Sequence, residues 1–152
     1  MPAEPELHAL TNALQPVRRA WVQAAGRVLA STGLSTPIAT AVLLTSRLGP
    51  DVQQKKLALE MGVNPAALVR TLDQGEAAGL LVRSGVKEDR RSKVVNLLPE
   101  GKLRAEQVER MLAELRQHLL GDLATEELYT ATRVLRLLEE RVAIWLQGDG
   151  AR

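Results

Sequence analysis

Near the N-terminus, Leu7, Leu10, Leu14, Val17, Trp21, Ala24 and Val28 recur at alternating steps of three and four. Toward the other end, Leu128, Ala131, Leu135, Leu138, Val142 and Trp145 repeat the same pattern. Such spacing keeps one apolar stripe on each helix, and that stripe must be covered by another helix. Two long helices that need partners therefore frame the chain. The covering helices can belong to an intramolecular bundle or to a second copy. Pro16 falls inside the first seam, where it removes a backbone donor and crowds the preceding turn, so a kink or break is expected there. Ser31, Thr32 and Gly33 end that helix.

The segment between the seams is built differently. Thr36-Pro37 predicts an N-cap followed by proline at the first helical position. The helix it opens, Ile38 to Leu48, is nearly all apolar or small, as a helix buried mid-domain should be. After Gly49-Pro50, Asp51 with Gln54 offers a variant capping box for a short helix ending at Gly62. Asn64-Pro65 starts the next helix almost at once, and it runs through Leu68 and Leu72 to Gly79. Two short helices joined by a tight glycine-containing turn form a helix-turn-helix candidate. From Leu80 the period changes. The runs Leu80 to Ser84 and Ser92 to Leu97, separated by a polar tip, predict a hairpin. Pro99-Glu100 then opens a helix to about Leu120, with Val108, Met111, Leu115 and Leu119 along one stripe, and Thr125-Glu126-Glu127 caps the last one.

Composition narrows the function. The 152 residues suffice for one domain that buries roughly 70% of its unfolded surface. Aromatics make up 2% and phenylalanine is absent, so the core must come from Leu, Val and Ala, a palette that favours helix. With no cysteine, disulfides, cysteine-based zinc sites and thiol sensors are excluded. The acidic opening Met1-Pro2-Ala3-Glu4-Pro5-Glu6 is not a signal peptide, and no segment approaches the ~18 consecutive apolar residues of a membrane span. A cytoplasmic protein without a membrane partner is expected. Net charge is +2, yet residues 47–104 hold 11 Lys+Arg against 7 Asp+Glu, a balance of +4. A basic centre on mildly acidic flanks suits a polyanion-binding module.

The order of elements resembles the MarR family of bacterial transcription regulators over nearly the whole chain. The most specific stretch is Asp89-Arg90-Arg91 through Gly101, similar to the family's wing signature: an Asp-x-Arg, a β-strand, Leu-Thr, and a glycine three residues after the Thr. Leu57-Ala58 with Met61-Gly62-Val63, then Val69 to Asp73 and Glu76 to Leu80, resemble the two helices upstream and the exit into the wing. Two positions depart from the pattern. Leu98 stands where a capping Thr is usual, at an expected cost of about 1 kcal/mol partly offset by Pro99. Gly75 replaces a core Leu, leaving space for a larger neighbour or an effector to fill. The resemblance implies a mainly α fold with a small β-hairpin wing (α+β). It would be a single winged helix-turn-helix domain over 1–152, with the DNA-binding module at 36–98 and dimerisation helices at 7–32 and 100–147.

A helix fits the major groove, and its exposed N-terminal residues meet base edges. With Leu68 and Leu72 inward, the outward set is Asn64, Ala66, Ala67, Val69, Arg70 and Gln74; Arg70 alone can grip a guanine or a phosphate bidentately. On the wing, the resemblance implies that Asp89 orients Arg91 into the minor groove, where a narrow A·T tract concentrates negative potential. Arg90 and Lys93 would contact flanking phosphates, as would Lys55 and Lys56. Double-stranded DNA and a second copy of the chain are thus the expected partners. The dimer would be held through Leu7, Leu10, Leu14, Leu135, Leu138, Val142 and Trp145. The resemblance also implies a small aromatic or phenolic effector that releases DNA, for which Trp21 and Arg18 are candidates.

No cofactor, metal or enzymatic activity is expected. There is no phosphate loop or carboxylate cluster, and His8 and His118 stand alone. The alternative to a DNA-binding repressor is a winged-helix adaptor that binds proteins or dimerises without reading DNA.

Overall fold

The computed structural model describes residues 1–86 and 89–149, with the side chains of 86, 89–91 and 149 excepted. Six helices and three strands follow in the order α1 (Glu4–Ala30), α2 (Thr36–Leu48), β1 (Val52–Gln53), α3 (Gln54–Met61), α4 (Pro65–Ala77), β2 (Leu81–Val86), β3 (Asp89–Leu97), α5 (Pro99–Leu120) and α6 (Thr125–Asp149). The strands form one antiparallel sheet in the order β1-β3-β2. Two compact units are distinguished, Met1–Leu115 and Arg116–Arg152.

In the first unit, α1 begins three residues before the seam, because Pro5 suits the first turn and Glu4 and Glu6 sit well at the positive end of the helix dipole. The helix passes through Pro16 without a break. It ends at Ser31, and the buried Thr32 hydroxyl donates to the Leu29 carbonyl at 2.7 Å. Only the last turns of α1 reach a core: Leu29 packs with Ala39, Leu43, Val108 and Leu112. A second cluster gathers Val42, Val52, Leu57, Ala58, Leu68, Leu72, Leu80, Leu81, Val95 and Ala105. Helix α2 contributes to both clusters from opposite faces, which is why its sequence is apolar nearly all round.

Several local expectations change. The N-cap of α2 is Ser35 rather than Thr36, with Pro37 still in the first turn. Asp51 does not cap α3. It adopts φ 55°, its backbone N–H donates to Asn96 Oδ1 at 2.9 Å, and its carboxylate accepts from Asn96 Nδ2 at 2.8 Å. This latch aligns Val52 opposite Val95 and Gln53 opposite Val94, making a third strand where a hairpin alone is predicted. In α5 the buried row is Gly101, Ala105, Val108 and Leu112, while Leu119 is exposed. The small residues explain this shift. Gly101 lies so close to the residue that leads into β2 that an added Cβ would stand 1.9 Å from the Leu80 carbonyl oxygen, and that contact fixes which row of α5 turns inward.

The space beside Gly75 is occupied by Leu81, whose Cδ2 lies 3.0 Å from where a Cβ would be. The glycine thus accommodates a close helix-to-strand approach rather than a void.

The second unit contains α6, a 25-residue helix with no buried residue among those described. Along its seam Leu128, Leu135, Val142 and Trp145 are exposed, and Leu138 is half-buried.

Candidate nucleic-acid interface

The turn between α3 and α4 is set by backbone chemistry. Gly62 takes φ 66°, the left-handed conformation that lets its N–H and that of Val63 reach back to the Leu59 and Ala58 carbonyls. Two residues on, the Asn64 side chain accepts from Ala67 N at 2.8 Å and caps α4, with Pro65 at its first position. Leu68, Thr71, Leu72 and Gly75 face inward. The opposite face presents Ala66, Val69, Arg70, Asp73 and Gln74 to solvent. Ala67 is half-buried, and Asn64 spends its side-chain oxygen on the cap. Arg70 has no hydrogen-bond or ion-pair partner among the described residues, so its guanidinium is available to a ligand.

Cations surround this helix. Lys55 and Lys56 are exposed in the first turn of α3, and Lys93 is exposed on β3. Lys55 and Lys93 share a cleft of about 370 Å³ with Gln53, Gln54, Ala58, Pro65, Leu68 and Ser92. Its floor is apolar and its rim positive. The Gln54 Oε1 is buried without a hydrogen-bond partner. Asp89, Arg90 and Arg91, the wing residues singled out in the sequence, have side chains outside the described residues.

Sequence reading missed the strongest polar contact in the module. Arg83 on β2 reaches back to α4. Its Nε donates to Glu76 Oε1 at 3.0 Å, its Nη2 donates to Glu76 Oε2 at 3.0 Å and also to Asp73 Oδ1, and its backbone N–H donates to Glu76 Oε1 at 2.8 Å. The signal available in the sequence was a pair of acids three apart on a helix, followed by an arginine on the adjoining strand. The side-chain and backbone hydrogen bonds from Arg83 hold the Glu76 carboxyl below its ordinary value of 4.5, with a smaller contribution from the Lys93 charge, and desolvation opposes them. The Glu76 partnership in turn raises the Arg83 pKa.

A depressed carboxyl stabilises the fold above its unfolded pKa, and that contribution disappears as pH falls through the folded value. Glu76→Gln is therefore expected to be less stable than wild type in urea denaturation at pH 7. The gap should shrink once pH drops below about 4.5 and disappear as pH falls through the lowered folded-state value. A gap that stays constant with pH would show that the carboxylate charge is not what Arg83 uses.

Arg18 borders a shallow hollow on α1 with Gln15, Arg19, Val22 and Gln23; Trp21 is partly exposed but does not line it. No group of three or more His, Cys, Asp or Glu among the described residues could hold a metal ion. No helix among them is long and apolar enough to cross a membrane.

No protein-family model matches the sequence. Solved structures do match. The transcriptional regulator PA3341 superposes with a TM-score of 0.80 at 29% identity, over 88% of this chain and 98% of that one. MarR from E. coli in its apo form gives 0.71 at 21% identity, over 85% and 96%. The fold is that of the MarR regulators. CouR from Rhodococcus jostii RHA1, in a structure bound to p-coumaroyl-CoA, gives 0.73 at 22% identity, over 85% and 90%. Within the MarR fold, the residues around Asn64 to Ala77 occupy the second helix of the helix-turn-helix, and β2 with β3 forms the wing.

Proposed function

We propose that this chain is a homodimeric, sequence-specific DNA-binding regulator, acting as a repressor on a palindromic operator. The observation that carries the reading is α4: a helix capped at its start and clamped near its end, with Arg70 exposed on its outer face and unpartnered among the described residues. In the major groove, Arg70 would grip guanine or phosphate, while Ala66 and Val69 offer apolar contact to thymine methyls. Lys55, Lys56 and Lys93 would take flanking phosphates. Arg91, oriented by Asp89, would enter the minor groove, with Arg90 beside it.

The dimer is supported by the apolar seams. Leu7, Leu10 and Leu14 on α1, and Leu135, Leu138, Val142 and Trp145 on α6, are wholly or partly exposed in the single chain. Apolar side chains left uncovered along both helices support an interface there. A two-fold dimer carries two reading helices, hence an inverted repeat in the target. Release by a small aromatic acid is the effector reading, supported by the aromatic acyl ligand of CouR and by the partly exposed Trp21 near Arg18.

The test is selection from a pool of genomic fragments. Bound fragments are expected to share an inverted repeat with half-sites about one helical turn apart, and small aromatic acids are then screened for release. Recovery of no common sequence would instead favour an adaptor that works through its helices.

A further inference from the structure

We propose that Arg83 is a charge-cancelling positioning residue: from behind α4 it neutralises Asp73 and Glu76, so that the reading helix can approach the phosphates of DNA. The inference rests on the DNA-binding reading and deepens it.

The charge count of α4 motivates the idea. Between Pro65 and Ala77 the helix carries one cation, Arg70, and two anions, Asp73 and Glu76. Left alone it would present a net negative charge to a polyanion. Like charges brought together at an interface oppose association. Arg83 brings the group to neutrality. Both carboxylates lie on one side of α4, three residues and about one turn apart. A single guanidinium spans them, with Nη2 shared between Asp73 and Glu76.

Exposure assigns the roles. The Asp73 side chain is 57% exposed and Arg83 only 17%, so the acid sits at the surface and its counter-charge lies behind it. Nε and Nη2 of Arg83 are already committed to these carboxylates, and the backbone N–H of the same residue fixes Glu76 as well. Arg83 is thus poorly placed to hold a phosphate itself. It acts on DNA through the two acids, and by tying the end of α4 to β2 it also sets the helix against the wing.

The experiment measures affinity for a selected duplex by fluorescence anisotropy, with circular dichroism to check folding. Arg83→Met is expected to weaken binding at least about tenfold, since it leaves two carboxylates uncompensated near phosphate. Adding Asp73→Asn and Glu76→Gln to that variant removes the repulsion, and affinity should return to within about threefold of wild type. Arg83→Lys keeps the charge but not the two-pronged geometry, so its loss should be smaller than that of Arg83→Met. Unchanged affinity in Arg83→Met overturns the proposal. So does a loss that the added amides fail to restore, which would mean a direct contact or a purely structural role. If Arg83→Met does not fold, the triple variant decides, and a tenfold loss there overturns it. Wild-type protein that binds no duplex would sink the DNA-binding reading itself, a result distinct from all of these.

Discussion

Replacing Gly101 with alanine is expected to lower stability by about 3 kcal/mol, at the upper end of what overpacking costs, and Gly101→Val to prevent folding. The obstacle is backbone, not a side chain that can rotate away. An ideal Cβ at 101 would lie 1.9 Å from the Leu80 carbonyl oxygen and 2.9 Å from its carbon. That same carbonyl accepts the Leu98 N–H at 2.9 Å, so moving it breaks the bond that leads β3 into α5. Shifting α5 outward instead would open the contacts of Ala105 and Val108, both fully or almost fully buried. For a chain of this size the expected fall in melting temperature is roughly 6–12 °C. Gly26→Ala is the control. It lies in α1 with nothing within 4 Å of the added Cβ, and alanine favours helix by about 1 kcal/mol. Equal melting temperatures for the two variants would contradict the packing described for α5.

The second large effect concerns α6. Glutamates at 135 and 142 would place two charges on the apolar seam without touching a buried residue, since Leu135 and Val142 are each 46% exposed in the single chain. If the seam is a dimer interface, Leu135→Glu with Val142→Glu buries unpaired charge there, a strongly destabilising change. Sedimentation equilibrium is expected to give twice the chain mass for wild type and the single-chain mass for the variant. Affinity for a palindromic duplex should drop by about 100-fold or more as the avidity of paired half-sites disappears. Helical content should not change. A variant that remains dimeric would place the interface elsewhere.

What the sequence revealed and what it hid divide along a physical line. The start of α4 was legible because its determinants are local: Asn64 reaches an N–H three residues away, and Pro65 suits the first turn. The seams and the buried α2 were legible for the same reason, as periodicity is a property of one segment. Contacts between distant segments were not. Asp51 has the chemistry of a cap, but Asn96 competes for it across 45 positions and wins, creating β1. The buried row of α5 turned on Gly101 meeting Leu80, which no count along α5 alone reveals. Gly75 suggested empty space because its neighbour Leu81 belongs to the next strand. Arg83 passed unnoticed because a lone arginine on a strand reads as an exposed side chain until the helix carrying Asp73 and Glu76 is laid against it. Of the candidate site, α4 and the three lysines took their expected places on the surface, with Ala67 more covered than expected and Asn64 committed to its cap.

The central claim is that the basic middle of the chain holds duplex DNA, and the salt dependence of affinity tests it most directly. With about six phosphates neutralised across two subunits, log affinity should fall against log salt with a slope near −5, and binding should weaken about 10³-fold between 50 and 200 mM salt. The selected inverted repeat should outcompete its scrambled counterpart throughout, and Arg70→Ala and Arg91→Ala should each narrow that preference. A flat salt response, with equal binding to both duplexes, would contradict the account.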